Sequence, residues 1–390
     1  MGATYMELRE EQIQKIVNGY RQDMLDFYKE LVNFQAGSKE GRRIHTLMEN
    51  VLHKMEALGM EGELLPTGCD IPVLRAYWGK ERPGKPILFS GHLDTVFPSG
   101  SYPENPFAIR EGKAYGPGVG DMKGGIVMAV YLVKVLEQLG YDKHPVKLVF
   151  VGDEETTHIG SNADQQLAKE AEGCLCAFNF ETGRMDHTLT VGRKGCMDAW
   201  VTVHGKAGHV GNAYASSANA IEEMAHKIIA LRSLTNLEEG LIVSTDIVSG
   251  GTASNAVPDT CRIEVDCRYD HNADKAMLQE KIKAICAETH VPGTTAEVEF
   301  PSFMPTFERT RGNDNLLALV NAVAEDFGME PFGAAHPGGC SDASFMAQAG
   351  IPILDSVGIQ GDKAHTKQEY ALVETLLART MLLAETVCRL

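Results

Sequence analysis

The stretch VKLVFVGDEET, Val146–Thr156, is a largely apolar run that ends in three consecutive acids. A short apolar run of this kind is typical of a strand buried on both faces of a sheet. Acidic side chains directly after such a strand are unfavourable unless they are paired or bind a cation. The stretch therefore predicts an α/β sheet with functional carboxylates at one edge, although a solvated charged loop remains the alternative for this segment alone.

Strand-like and helix-like segments alternate on both sides of this stretch. Apolar residues recur at helical spacing from Glu7 to Asn33, and a second helix is expected from Arg43 to Leu58. Further expected elements are the strands Val73–Trp78, Pro86–Ser90 and Leu175–Phe180 and the helix Lys123–Leu139. This alternation predicts an α/β sheet covered on both faces by helices.

The pattern changes near Gly192 and returns after Pro305. The segment between them predicts the ferredoxin-like order β-α-β-β-α-β, with elements at Met197–His204, Ser216–Leu231, Leu241–Val248, Cys261–Arg268, Asp274–Glu288 and Thr295–Phe300. The elements expected after it are the helices Asn315–Phe327, Ser341–Ala349 and Tyr370–Arg389 and the strand Ile351–Ser356. We therefore expect one domain in two parts, residues 1–192 and 305–390, and an inserted domain, residues 193–304.

Length and composition agree with two domains and exclude some partners. A chain of 390 residues exceeds what one hydrophobic core usually serves. The net charge of −17 disfavours nucleic acid and anionic membrane surfaces as partners. We see no apolar run long enough to span a membrane and no signal peptide. Nine scattered cysteines fit free thiols in a reducing compartment, so a cytoplasmic protein is expected.

Four further segments place His or carboxylate residues at expected strand ends or helix starts. They are SGHLDTV (Ser90–Val96), GPGVGDMKGG (Gly116–Gly125), FNFETG (Phe178–Gly183) and DKAHTKQEY (Asp362–Tyr370). Each has a purely structural alternative, and the glycine-rich turn has a second one, a phosphate cradle at a helix start. That turn lacks both the dinucleotide fingerprint and the P-loop signature, and its central carboxylate favours a cation.

Taken together, these segments predict a metal centre. Imidazole and carboxylate ligands without thiolates suit zinc, cobalt or manganese. Two ions that share a bridging carboxylate need about this many ligands. The candidate ligands are His92, Asp121, Glu155, Glu181 and His365, and Asp94 is placed to orient His92.

In their order and combination, the five segments resemble a known dizinc metallopeptidase family. Its members include glutamate carboxypeptidase, aminoacylase, acetylornithine deacetylase and succinyl-diaminopimelate desuccinylase. The resemblance covers nearly the whole chain and implies a zinc-exopeptidase-like catalytic domain with an inserted ferredoxin-like lid domain that dimerises. It also implies that Asp121 bridges two divalent ions and that Glu154 is the general base toward a metal-bridging water. His92 and Glu181 would complete one metal's ligand set, and Glu155 and His365 the other's.

The resemblance extends to the inserted domain and its surroundings. GKAGHVG, Gly205–Gly211, resembles the lid segment whose His reaches the substrate carbonyl across a dimer, which points to His209. Two segments resemble those that bind the substrate carboxylate, and they point to Asn255 and Arg268. PGGCSDA resembles a glycine loop near the substrate, with Gly338 and Gly339 closest, and VGRKG, Val191–Gly195, resembles the hinge. Outside the motif, His204 is interpreted as structural.

The expected function is the hydrolysis of an amide bond. The segments FETGR and VGRKG look more like the glutamate carboxypeptidase branch than the deacetylase branch. We therefore expect a metallocarboxypeptidase acting on small peptides or N-acyl-glutamate-type amides. The alternative is an N-acyl amino-acid deacylase. A non-catalytic scaffold of the same fold is a third hypothesis, and the intact Glu154 and ligands argue against it.

Overall fold

The computed structural model describes residues 5–390, and the side chains from residue 8 onward. Residues 1–4, part of the segment searched for a signal peptide, lie outside the described residues. The helices are α1 Tyr5–Gly19, α2 Arg21–Asn33, α3 Gly41–Ala57, α4 Gly124–Gln138, α5 Ala163–Ala171, α6 Val210–Ala213, α7 Ala220–Arg232, α8 Asn272–Ala287, α9 Arg311–Asp326, α10 Ala343–Met346 and α11 Val373–Arg389. The strands are β1 Glu61–Leu65, β2 Val73–Trp78, β3 Ile87–His92, β4 Ala108–Arg110, β5 Lys113–Tyr115, β6 Val146–Val151, β7 Cys176–Asn179, β8 Thr188–Thr190, β9 Gly195–His204, β10 Gly208–His209, β11 Ile242–Gly250, β12 Ala256–Val257, β13 Thr260–Tyr269, β14 Thr295–Glu299, β15 Phe303–Met304, β16 Gly333–Ala335, β17 Ile353–Leu354, β18 Gly361–Asp362 and β19 Tyr370–Leu372.

The described chain divides into two compact units. Unit 1 contains the described residues up to Gly192 together with Arg309–His336 and Ser341–Leu390. Unit 2 contains Arg193–Glu308 and Pro337–Cys340. The inserted unit therefore ends at residue 308, whereas the sequence indicated an end at residue 304. A short loop later in the chain, Pro337–Cys340, also belongs to unit 2. Backbone pairing explains both differences: Phe307 pairs with Arg193, and the Pro337 carbonyl accepts from the Lys194 amide at 3.3 Å.

Unit 1 is built on a six-stranded sheet in the order β1-β2-β6-β3-β7-β17. Strand β3 runs parallel to β6 and to β7, and β7 runs parallel to β17, while β1 and β2 are antiparallel. Every residue of β3, β6 and β7 is buried, as expected for central strands covered on both faces. The carboxyl ends of these three parallel strands therefore lie together at one edge of the sheet.

Helix α4 lies in the core of unit 1. Nearly all of its residues are buried, including Tyr131 and Leu136. A helix that is apolar all round needs neighbours on every side, and α4 packs against β3, α1, α2 and α11. Because α4 begins at Gly124, this packing also fixes the turn Val119–Lys123 that leads into it.

Unit 2 has the predicted ferredoxin-like order. Its main sheet runs β11-β13-β9-β14, with every neighbouring pair antiparallel. The odd-numbered residues of β9 from Gly195 to Val203 are buried, whereas the even-numbered ones are partly or fully exposed. Helices α7 and α8 pack on this sheet, so one of its faces forms a core and the other is accessible.

Local details differ from the predicted elements where loops and short strands intervene. The helical pattern from Glu7 to Asn33 forms two helices that break at Tyr20. The helix expected at Ser341–Ala349 is the short α10 followed by a 3-10 turn, and β19 precedes the last helix. Short pairs such as β18 with β19 are made between distant segments, so local periodicity carries little signal for them.

Candidate metal centre

The candidate ligands of the first metal site lie at the carboxyl ends of parallel strands. His92 is the last residue of β3, and Glu181 follows the end of β7 by two residues. The acids of the DEE segment follow β6, whose Val151 is in register with His92. Ligand sites in open α/β sheets lie at such carboxyl ends, so the topology brings the three segments to one edge.

The first group of ligand atoms surrounds His92. Its Nε2 lies 3.0 Å from Asp121 Oδ1 and 3.7 Å from Glu181 Oε1. Its Nδ1 lies 3.3 Å from Asp94 Oδ1 and 3.2 Å from the Asp94 carbonyl. Both His92 and Asp94 are almost fully buried. Asp94 is therefore placed to hold the imidazole in one orientation with Nε2 facing the carboxylates.

The second group shares Asp121 with the first. His365 Nε2 lies 3.2 Å from Asp121 Oδ2 and 2.9 Å from Glu155 Oε2. The two oxygens of Asp121 thus face different imidazoles, His92 on one side and His365 on the other. Within each group the ligand atoms lie within 4.8 Å of one another, a separation at which they could hold an ion. A carboxylate shared in this way is the arrangement that a two-metal site needs.

Glu154 lies beside both groups without belonging to either. It sits in the 3-10 turn after β6 and is partly buried. Desolvation raises the pKa of Glu154 well above its usual 4.5, against the opposing effect of the nearby His92. Neighbouring carboxylates, Glu181 and Glu155 among them, add to this rise. The raised pKa makes the Glu154 carboxylate a stronger base than a solvent-exposed one, which suits a group that accepts and returns a proton.

Glu369, which the sequence reasoning did not single out, holds the turn that carries Asp121. Its Oε1 accepts from the backbone amides of Gly120 at 2.7 Å and Asp121 at 3.1 Å, and its Oε2 accepts from Gly118 at 3.0 Å. Glu369 is 3% exposed. These donors are therefore engaged by a carboxylate of the chain, which counts against the phosphate-cradle alternative. The sequence does contain a signal for Glu369, because this residue lies four residues after His365 in the segment Asp362–Tyr370.

A second feature missed from the sequence is a buried histidine between two aspartates. His158 Nδ1 lies 2.7 Å from Asp153 Oδ1, and its Nε2 lies 2.8 Å from Asp342 Oδ1. Burial alone would lower the pKa of His158, but Asp342 and Asp153 raise it to about 11. The charged imidazole thus ties the DEE loop to the residue before α10.

Two of the candidate substrate-binding residues meet in unit 2. His209 ends β10, which pairs with β12, and its ring Nδ1 accepts from the Gly211 amide at 3.1 Å. The Asn255 carbonyl accepts from the Val210 amide at 3.0 Å. Both His209 and Asn255 are exposed. The structure therefore brings the segments of His209 and Asn255 together, as neighbours on the surface of unit 2.

The other substrate-binding candidates also lie in unit 2. Arg268 donates from Nε and Nη2 to the two oxygens of Asp266, both at 2.7 Å. That edge of the guanidinium is therefore occupied within the chain, and a substrate carboxylate would have to use the edge between Nη1 and Nη2. Gly339 is held by Arg193, whose Nη1 donates to the glycine carbonyl at 3.1 Å. The glycine loop and Arg268 are joined through Cys340, whose Sγ lies 3.5 Å from Arg268 Nη1.

Curated proteins with similar sequences include a carboxypeptidase and a desuccinylase. The chain is 29% identical to carboxypeptidase G2 of Pseudomonas sp. (strain RS-16), over 79% of the chain and 74% of that protein. It is 28% identical to succinyl-diaminopimelate desuccinylase of Gluconobacter oxydans, over 91% of the chain and 94% of that protein. Both kinds of protein are among those that the sequence resemblance named.

Solved structures share the fold. Aminopeptidase PepT of Bacillus cereus superposes with a TM-score of 0.80 at 21% identity, covering 94% of this chain and 98% of that one. The metallo-carboxypeptidase Sso-CP2 of Sulfolobus solfataricus superposes with a TM-score of 0.75 at 17% identity, covering 93% and 98%. These similarities confirm the predicted fold class, a mixed α/β architecture.

The family assignment completes the description of the site. Among residues 5–390, no helix is both long and apolar enough to cross a membrane. The model of peptidase family M20/M25/M40 matches residues 88–389, a span that contains every candidate ligand and Glu154. This match confirms the resemblance drawn from the sequence. The chain therefore belongs to peptidase family M20/M25/M40 and is a metal-dependent peptidase or amidohydrolase.

Proposed function

We propose that this chain is a metallocarboxypeptidase that cuts small peptides or N-acyl-glutamate-type amides. The observation that carries the proposal is the pair of ligand groups that share Asp121, with Glu154 beside them. A scaffold protein would have no need of a partly buried free carboxylate next to five clustered ligands. Glu154 thus supports a catalyst over a binding protein of the same fold.

The donor set fits two divalent ions. His92, Asp121 and Glu181 would hold one ion, and Asp121, Glu155 and His365 the other. Two imidazoles and three carboxylates without a thiolate suit zinc, with cobalt or manganese as alternatives. When bound, such ions would lower the pKa of a water molecule and polarise the carbonyl of the scissile bond.

The residues of the chain supply the proton transfers and the orientation. Glu154 accepts a proton from the attacking water and returns it to the nitrogen of the leaving amine. Asp94 fixes the tautomer of His92 through Nδ1. His209 donates a hydrogen bond to the carbonyl oxygen of the scissile amide and stabilises the negative charge that develops there.

The carboxypeptidase assignment rests on a binding group for the substrate carboxylate. Arg268, oriented by its two bonds to Asp266, would present Nη1 and Nη2 to that carboxylate, with the glycine loop of Gly338 and Gly339 beside it. Asn255 is the second proposed binding group, and its segment lies next to His209. The similarity to carboxypeptidase G2 supports this reading. The alternative, an N-acyl amino-acid deacylase, is supported by the similarity to succinyl-diaminopimelate desuccinylase over nearly the full chain.

We also propose that the chain forms a homodimer through unit 2. Strand β11 is at an edge of its sheet and exposes Ile247 and Val248, which are 56% and 63% accessible. Helix α7 exposes Ile229, which is 71% accessible. An edge strand with exposed apolar residues favours pairing with another strand. The β11 strand of a second copy of the chain would pair with the free edge of β11.

A substrate screen tests the proposal. Purified protein loaded with zinc, cobalt or manganese is incubated with dipeptides, N-acyl-glutamates and other N-acyl amino acids, and the released amine is measured. We expect turnover of substrates with a free carboxylate next to the scissile bond and loss of turnover when that carboxylate is amidated. Equal turnover of the amidated substrates would contradict the carboxypeptidase assignment, and a preference for N-acetyl or N-succinyl amino acids over peptides would favour the deacylase.

A further inference from the structure

Two cysteines of unit 2 lie beside Arg268. Cys196 is on β9, directly opposite Arg268 on β13. Residues directly opposite each other in an antiparallel sheet project their side chains from the same face. This is the partly exposed face, because the residues flanking Cys196 on β9 are buried. Cys196 thus points to the accessible side of the sheet, on the same face as Arg268.

Cys340 reaches the same place from the glycine loop. Its Sγ accepts from Arg268 Nη1 at 3.5 Å and donates to the Lys194 carbonyl at 3.4 Å. Lys194 lies two residues before Cys196 in the chain, so this contact places the Cys340 thiol close to Cys196. Both residues are partly exposed, whereas five of the nine cysteines are buried. Two thiols that lie close together and within reach of solvent form a pair that can be oxidised.

The charges around the pair favour reaction at Cys196. The neighbouring Cys340 thiol lowers the pKa of Cys196, and the positive charge of Arg268 lowers it further, although burial opposes both effects. The proximity of Cys196 and burial raise the pKa of Cys340. Since the thiolate is the reactive form, Cys196 is suited to react first and Cys340 to resolve.

We propose that Cys196 and Cys340 are a redox-sensitive pair that forms a reversible disulfide with a low-molecular-weight disulfide such as oxidised glutathione. The Cys196 thiolate attacks one sulfur of the oxidant, whose own S–S bond breaks and releases one glutathione thiol. The Cys340 sulfur, losing its proton to solvent, then attacks Cys196 Sγ and releases the second glutathione, which takes up a proton. The two protein thiols are oxidised, and the glutathione disulfide is reduced.

The bond would change the surroundings of Arg268. It ties the loop Pro337–Cys340 to β9 and converts the sulfur that Arg268 contacts into part of a disulfide. This consequence rests on the proposed function, in which Arg268 binds the substrate carboxylate. We expect KM to rise about tenfold, as for the loss of one charge-assisted hydrogen bond, with a smaller change in kcat.

Mass spectrometry tests the bond without reference to any substrate. The full-length protein is incubated with oxidised glutathione, alkylated under denaturing conditions and digested. We expect a peptide pair joined between Cys196 and Cys340, and its loss after treatment with dithiothreitol. The variant Cys69→Ser, which removes an exposed thiol elsewhere, is the matched control and should keep the cross-link. Glutathione adducts on the two residues without a cross-link, or no modification of either, would overturn the proposal.

Kinetics test the consequence separately. The rise in KM should appear in oxidised wild type and oxidised Cys69→Ser, disappear on reduction, and be absent from Cys196→Ser treated in the same way. A cross-link with unchanged KM would overturn the effect on Arg268 and leave the disulfide standing. If the reduced enzyme cleaved no carboxylate-bearing substrate, the proposed function would fail and the cross-link result would be unaffected.

Discussion

In the proposed mechanism, Glu154 is the residue that separates a hydrolase from a protein that only binds metal. We expect Glu154→Gln to bind metal as wild type does and to lose turnover by about a hundredfold to ten-thousandfold, the usual contribution of a general base. Metal content by atomic absorption and initial rates of amine release measure the two effects. The exposed Glu172→Gln is the matched control and should retain both. Turnover retained in Glu154→Gln would refute the role of the carboxylate.

In the proposed metal centre, Glu369 would act on the candidate ligand Asp121 through the backbone. Its carboxylate accepts three amide hydrogen bonds from the turn that carries Asp121. Glutamine presents an NH2 group in place of one oxygen, so at least one of these amides loses its acceptor. We expect Glu369→Gln to weaken the affinity for zinc by about tenfold to a hundredfold, as for other groups that orient metal ligands.

Competition with a chromophoric chelator measures this affinity. Glu374→Gln changes an exposed acid at the start of α11 and serves as the control. Circular dichroism checks that each variant folds. An unchanged zinc affinity in a folded Glu369→Gln protein would show that the turn does not need its carboxylate.

At the scale of elements, His158 connects the loop after β6 to the start of α10. His158→Gln leaves Asp153 and Asp342 buried without their cation, and breaking a buried ion pair typically costs about 3–5 kcal/mol. The folded pKa of His158, about 11, is above the ordinary 6.5. Its stabilising contribution is therefore complete below pH 6.5 and is lost as the pH rises toward 11.

We accordingly expect the melting temperature of His158→Gln to lie below that of wild type at pH 7, with a smaller difference at pH 10. Thermal scans followed by circular dichroism at both pH values measure it. The control His53→Gln changes an exposed histidine of α3, and its melting temperature should equal that of wild type at each pH. A difference that stayed constant or grew with pH would contradict a charged His158.

The elements that carry the candidate ligands could be predicted because their sequence signals are local. The apolar run Val146–Val151 and the acids after it are contiguous, and the same holds for the segment that ends in His92. The network around them could not be predicted in this way. Glu369 bonds to an amide 248 residues away, and His158 bonds to an aspartate 184 residues away. Such partners depend on the tertiary fold and leave no periodic trace in the sequence.

For the whole molecule, the change of pattern near Gly192 predicted an inserted segment, since β-α-β-β-α-β differs from the alternation around it. The assignment of Pro337–Cys340 to unit 2 could not be predicted, because it depends on backbone bonds such as that from Lys194 to Pro337. That loop carries Cys340 to Arg268. The thiol pair is therefore a product of the tertiary structure, made by residues far apart in the sequence.

The proposed dimer makes a quantitative prediction about His209. If this residue acts on the active site of the other subunit, a hybrid of His209→Ala and Glu154→Gln subunits contains one complete site, formed by Glu154 of the first and His209 of the second. Random exchange of equal amounts gives hybrids in about half of the dimers, so the mixture should recover about a quarter of wild-type activity.

Subunit exchange must be demonstrated for this test to discriminate. Copies with different affinity tags, mixed at low concentration and purified in tandem, report the hybrid directly. Mixing Glu154→Gln with His92→Ala is the control, because both residues belong to unit 1 of one subunit and no hybrid of them contains a complete site. Rescue in the first mixture and none in the second assigns His209 to the neighbouring subunit. Isolated hybrids without activity would show instead that each site uses the His209 of its own subunit. In that case one site of the hybrid lacks His209 and the other lacks Glu154.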